Sequence, residues 1–196
     1  MHRIRVAVLI SGRGSNLLSL LKAQSQENCP YDINLVVSNN AEAGGLKLAQ
    51  EYGVASAAFP NNLYRGQRQA QEEAIHALLK EKKVELIALA GYMRVLTPWF
   101  VTQWSGKIIN IHPSLLPLYP GLHTHQRVLL SGDREHGCTV HYVTSELDAG
   151  PVILQARVPV MSGDTEETLA ARVLAEEHHI YPKALSLAAQ GLKGKS

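Results

Sequence analysis

The sequence predicts an α/β fold: a single domain built on a doubly wound, mostly parallel sheet, extended by an antiparallel hairpin in the C-terminal half. Three observations predict it. Short apolar runs alternate with segments of helical spacing as far as Ile111, the pattern of successive βα units. Those runs are nearly continuous Val, Ile, Leu and Ala, as strands covered on both faces require. After Gly121 the alternation gives way to two β-rich runs separated by a turn, which reads as a hairpin joining the same Rossmann-like sheet.

Each element follows from its residues. Val6 to Ile10 is a strand that ends in Ser11-Gly12-Arg13-Gly14-Ser15-Asn16, after which Leu17, Leu18, Leu20 and Leu21 take up helical spacing. Ile33 to Ser38 repeats the strand pattern. Ala41 to Tyr52 reads as a helix closed by Gly53, and Gln67 to Lys82 as a longer amphipathic helix. Val84 to Leu89 is another strand. Thr97-Pro98 combines a capping hydroxyl with proline at the first helical position, and Lys107 to Ile111 follows as a strand carrying Asn110. Cys138 to Val143 and Val152 to Val160 form the hairpin around Thr144 to Pro151. Asp164-Thr165-Glu166-Glu167 resembles a capping box that opens a helix through about His179. Tyr181-Pro182 then starts a last helix ending near Gly191, leaving 192–196 as a frayed tail.

Composition narrows the function classes. With 19 basic and 17 acidic residues among 196, the net charge of +2 falls short of the concentrated positive field that nucleic acid binding needs. Cys29 and Cys138 lie far apart in no metal or redox spacing, so reduced thiols in a cytoplasmic setting are expected. No apolar run approaches the roughly 18 to 20 residues of a membrane helix, and Met1 to Val6 leads straight into the first strand. A soluble, unprocessed chain without a membrane or nucleic acid partner is the expectation.

Three segments carry chemistry. In Asn110-Ile111-His112-Pro113-Ser114 an amide and an imidazole stand two residues apart, so a strand points both to one face. A neutral donor beside a group that titrates near neutrality suits a reaction that develops an oxyanion while moving a proton. The same pair also fits a hydrogen-bonded histidine at a strand end. Pro113 halts the ladder, and Leu115 to Gly121 makes a stiff connection. The glycine turn at 11–16 lets backbone amides approach a ligand ahead of a helix N-terminus, which favours a phosphate. Leu17 stands where a dinucleotide fingerprint places its third glycine, Ser38-Asn39-Asn40 holds no ribose-binding acid, and the Walker ending is absent. A phosphate monoester therefore fits better than NAD or ATP, and a tight βα turn without ligand remains open. Asp148, in a Gly-Pro-bounded loop, is placed to favour the imidazolium of His112 or to be a turn aspartate. His123, His125, His136, His141, His178 and His179 form no recognised metal spacing, so no metal is expected.

Taken together, these segments resemble the formyltetrahydrofolate-dependent formyltransferase family nearly end to end. The likeness rests on Ile10 to Leu17, Leu89 to Arg94, Asn110 to Pro117 and Glu146 to Ile153, and Tyr119 to His125 is similar to the glycinamide ribonucleotide branch in particular. The resemblance implies a single formyltransferase domain over 1–196, with a phosphate-substrate half (1–110) and a folate and catalytic half (111–191). It implies transfer of formyl from the co-substrate 10-formyltetrahydrofolate to the amine of glycinamide ribonucleotide in purine synthesis, without ATP or metal, by a monomer or homodimer. Asn110 would stabilise the oxyanion, His112 would act as general acid and proton relay, and Asp148 would tune His112. Gly14, Ser15 and Asn16 would cradle the phosphate, and Glu177 would meet the ribose or glycinamide. Arg68, Met93, Arg94, Val95, Leu96, Asn110 and the loop Thr144, Ser145, Glu146, Leu147 and Asp148 would line the folate pocket. Leu174 departs from the resemblance: relatives often place a polar group there, and leucine cannot donate a hydrogen bond. Two alternatives stay open, hydrolysis of formyltetrahydrofolate by the same machinery and a non-catalytic phosphate or folate binding module.

Overall fold

The computed structural model describes residues 2–194. Its centre is one seven-stranded sheet in the order β3-β2-β1-β4-β5-β6-β7. The strands are β1 (Ile4–Ile10), β2 (Tyr31–Ser38), β3 (Ala55–Ala58), β4 (Leu86–Leu89), β5 (Ile108–His112), β6 (Glu135–Tyr142) and β7 (Val152–Pro159). β1 to β5 run parallel, whereas β6 pairs antiparallel with β5 and β7 antiparallel with β6. The expected parallel sheet with an antiparallel extension is what the chain forms. The order reverses between β1 and β4, the switch point where doubly wound sheets open a ligand crevice at their carboxyl edge.

Period-two alternation sorts the strand residues onto two cores. Val6, Val8, Ile10, Leu86 and Ala88 face one layer with α1 (Ser15–Gln24), α2 (Gly44–Glu51) and the long α6 (Glu166–Lys193). Ala7, Leu9, Ile87 and Leu89 face the other, against α3 (Arg68–Glu81) and α4 (Pro98–Gln103). On α3 the buried Ile75 and Leu79 are one turn apart, and on α4 Phe100 and the following Trp104 repeat that spacing, so each helix buries a single stripe. Thr97 caps α4 by accepting Phe100 N, with Pro98 at the first helical position, as its sequence predicts. No described helix is long and apolar enough to cross a membrane.

Three elements depart most from the sequence expectation. β3 was not anticipated: Ala55-Ser56-Ala57-Ala58 holds no β-branched or aromatic residue, and it is a strand because β2 supplies a ladder for it. α5 (Thr124–Ser131) was not anticipated either; it buries only Thr124 and Val128, and Gly132 ends it in the left-handed conformation at φ 75°. The largest correction concerns the C-terminal region, where the expected break between His179 and Tyr181 does not occur. α6 continues through Pro182. Its buried stripe, Val173, Glu177, Ile180, Tyr181, Ala184, Leu185 and Ala188, keeps helical spacing across the proline, and Tyr181 Oη donates to the Leu89 carbonyl at 2.7 Å. Packing of that length outweighs the roughly 3 kcal/mol an interior proline costs. The capping box is also different: Thr165 is reciprocated by Thr168 rather than by an acid, while Asp164 holds both terminal nitrogens of Arg172 at 2.8 Å. The helix runs to Lys193, two residues into the segment expected as a frayed tail, and 195–196 lie outside the described residues.

Candidate active site

The carboxyl edge of the sheet gathers the three chemical segments together with residues 90–97. β1 delivers the glycine turn, β4 delivers residues 90–97 and β5 delivers Asn110 and His112. These two side chains share one face of β5 because Ile109 and Ile111 alternate with them into the opposite core. The β6–β7 loop closes the group by bringing Asp148 Oδ2 to 3.5 Å from His112 Nδ1.

The hydrogen bonds define what each group can do. His112 Nε2 lies 3.0 Å from the Tyr119 carbonyl; a carbonyl only accepts, so that nitrogen carries a hydrogen. The other ring nitrogen faces Asp148, and an imidazolium here has a partner for each N–H. Asp148 is itself built in. Its backbone is left-handed at φ 51°, a conformation Asp and Asn tolerate better than other residues, and its Oδ2 accepts Gly121 N at 2.8 Å. The carboxylate thus fastens the 113–123 connection while it faces the imidazole.

His141 is a site residue that sequence reasoning missed. It stands opposite Asn110 in the β5–β6 register, with Nε2 3.3 Å from Asn110 Nδ2 and 3.8 Å from Asp148 Oδ1. Burial pushes its pKa below the ordinary histidine value, which favours the neutral form. With Nδ1 3.0 Å from the Tyr142 carbonyl and so donating, Nε2 offers a lone pair to one Asn110 amide hydrogen. The second amide hydrogen is left for a ligand oxygen. His141 entered the sequence reading only among the histidines without metal spacing; the antiparallel register that pairs it with Asn110 is the signal.

The glycine turn is shaped for close approach. Gly14 is left-handed at φ 84°, and a Cβ there would meet Gly45 Cα at 2.9 Å, so only glycine fits. Ser15 opens α1 and is exposed, leaving the helix N-terminus accessible. Asn16, expected beside them in the cradle, is buried, and its side chain donates through Nδ2 to Glu177 Oε2 at 2.7 Å. Burial raises the Glu177 pKa, and the Asn16 bond partly offsets this. Asn16 and Glu177 therefore form the floor between α1 and α6. Leu174, one turn earlier on α6, is half-buried.

The residues expected around the folate come from the start of α3, the segment after β4 and the β6–β7 loop. Arg68 begins α3 and is exposed. Met93 and Val95 stand out at 69% and 60% exposure, Leu96 packs on the second core, and Arg94 donates to Asn61 Oδ1. Thr144 to Leu147 are exposed in the β6–β7 loop, where Thr144 Oγ1 donates to the Glu146 carbonyl at 3.2 Å. Among the described residues no group of three metal-ligating side chains comes together.

A glycine turn at a helix N-terminus, an amide and imidazole pair, and exposed Met93 and Val95 beside them on one doubly wound edge are the equipment of a group-transfer protein. The chain belongs to the formyl transferase family, whose pattern it matches over residues 4–185. Its relatives place it in the phosphoribosylglycinamide formyltransferase branch. It is 45% identical to phosphoribosylglycinamide formyltransferase of Escherichia coli strain K12, covering 96% of this chain and 88% of that one. It is 44% identical to the trifunctional purine biosynthetic protein adenosine-3 of Homo sapiens over 96% of this chain, but spans only 19% of that longer protein. The crystal structure of phosphoribosylglycinamide formyltransferase from Brucella melitensis superposes with a TM-score of 0.92 at 50% identity, covering 96% of each chain.

Proposed function

We propose that this chain transfers the formyl group of 10-formyltetrahydrofolate to the amine of N1-(5-phospho-D-ribosyl)glycinamide in purine synthesis, giving the N2-formyl product and tetrahydrofolate. The observation that carries the reading is the convergence of Asn110, His112 and Asp148 at a carboxyl edge shared with the glycine turn. The names of the relatives support it. The substrate phosphate sits on the amides at Gly14 and Ser15, with Asn16 and Glu177 as the floor toward the ribose. The folate lies along Arg68, residues 93–96 and residues 144–148.

The amine nitrogen attacks the formyl carbon, whose oxygen gains negative charge and takes the free Asn110 N–H. Collapse breaks the bond to the folate nitrogen, and the proton lost by the amine balances the one that nitrogen gains. His112 is the group that carries a proton between them, and Asp148 stabilises its charged form. The donor already holds an activated one-carbon unit, so the transfer balances without ATP, and we assign no metal to it. The two free, buried cysteines, Cys29 and Cys138, suit a reducing compartment, and we place the reaction in the cytoplasm. Purified His112→Ala tests the assignment: turnover should fall by about 10² to 10⁴ while thermal unfolding is unchanged, and near-normal transfer would refute the role.

A further inference from the structure

Ser11 lies between the end of β1 and Gly12, and its hydroxyl makes two bonds that leave the glycine turn. It donates to Asn39 Oδ1 at 2.6 Å and accepts Met93 N at 2.8 Å. Asn39 is 4% exposed, and its carbonyl accepts Asn61 N at 3.0 Å. Asn61 Oδ1 in turn receives Arg94 Nη1 and Gln71 Nε2. Two hydrogen-bonded threads therefore run from one hydroxyl to adjacent residues of the 93–97 segment, one direct and one through Asn39 and Asn61. That segment is neither helix nor strand. Its far end is held separately, by the buried Glu72 carboxylate accepting Thr97 N and Oγ1.

We infer that Ser11 is a positioning residue that couples the two substrate sites, its hydroxyl holding the Met93 backbone against the phosphate turn so that filling either site tightens the other. This rests on the functional reading above, which places phosphate on the turn and folate against residues 93–96. A phosphate seated on the turn restricts the backbone that carries Ser11. The hydroxyl then restricts Met93, and the folate meets a wall whose ordering cost is already met. Such coupling is reciprocal: the factor by which one ligand improves the other is the same in both directions.

The test is a titration of the wild-type chain, Ser11→Ala and Ser11→Thr with tetrahydrofolate, with and without saturating glycinamide ribonucleotide, a pair that binds without reacting. Wild type should show about a fivefold tighter folate Kd when the ribonucleotide is present, the lower end of ordinary coupling. Ser11→Ala should bring that factor to within about twofold of unity, and Ser11→Thr, which keeps the hydroxyl, should retain it. A role in stability alone would shift thermal unfolding and leave the factor intact. Full coupling in Ser11→Ala, or none in wild type, would overturn the inference. Binding of neither ligand by the wild-type chain would overturn the functional reading itself and this inference with it.

Discussion

Replacing Asp148 by Asn removes a charge while sparing the scaffold. The asparagine amide oxygen can still accept Gly121 N, a bond now 2.8 Å long, and asparagine tolerates the φ of 51° at this position. Stability should therefore change by no more than about 1 kcal/mol. Catalysis should change more. A full negative charge 3.5 Å from an imidazolium nitrogen is worth about 5 kcal/mol at an effective dielectric of about 20. If half survives reorganisation and the residual amide dipole, the proton-carrying state of His112 is raised by about 2.5 kcal/mol, near a hundredfold in rate. The assay is single-turnover formyl transfer beside a thermal melt of the same preparation. An Asp148→Asn rate within about threefold of wild type would refute the electrostatic argument, and a collapsed melt would show that the carboxylate is structural first.

Other consequences follow from the same geometry. Gly14→Val places a β-branched side chain at φ 84° with its Cβ 2.9 Å from Gly45 Cα, so the turn must shift. The KM for the phosphate substrate should rise at least about tenfold, with a smaller effect on folate, and an unchanged substrate KM would dismiss the cradle. Glu72→Ala strips the acceptor from Thr97 N and Oγ1, at a cost of about 2 kcal/mol, read as a Tm lower by about 5 °C; Glu72→Gln should recover part of it. Acid should weaken the fold through the contact between His125 Nδ1 and His136 Nε2 at 3.0 Å. Burial lowers the His136 pKa to about 4 and lowers that of His125 as well. The unfolded imidazoles bind protons near pH 6.5, so the unfolded state holds more protons below that pH. The contribution is complete above pH 6.5 and lost progressively as pH falls toward about 4. Melts across this window should show the loss, and a His136→Gln variant with the same acid slope would contradict it.

Much of this was legible in the sequence because the strands are covered on both faces. Continuous apolar runs such as Val6 to Ile10 can satisfy only a buried sheet, and the turn at 11–16 punctuates the first βα unit. The Asn110 and His112 pair was legible because period two is a local property. His141 was not, since its meaning comes from the β5–β6 register, a contact between residues far apart in the chain. β3 was hidden for the converse reason: its four small residues owe their conformation to the edge of β2 rather than to their own preference. Pro182 misled because local propensity argues for a break, whereas the buried stripe and the Tyr181 bond to Leu89 act over the whole of α6. The position of Asn16 turned on a partner 161 residues away, Glu177, which no spacing rule encodes.

In the function proposed above, this edge moves a formyl group to an amine. The direct measurement incubates purified protein with 10-formyltetrahydrofolate and follows tetrahydrofolate formation spectroscopically, with and without glycinamide ribonucleotide. Release should depend strictly on the ribonucleotide, with formylated product appearing in step. Release at the same rate without the amine would make water the acceptor and the protein a hydrolase, and no release in either case would contradict catalysis altogether.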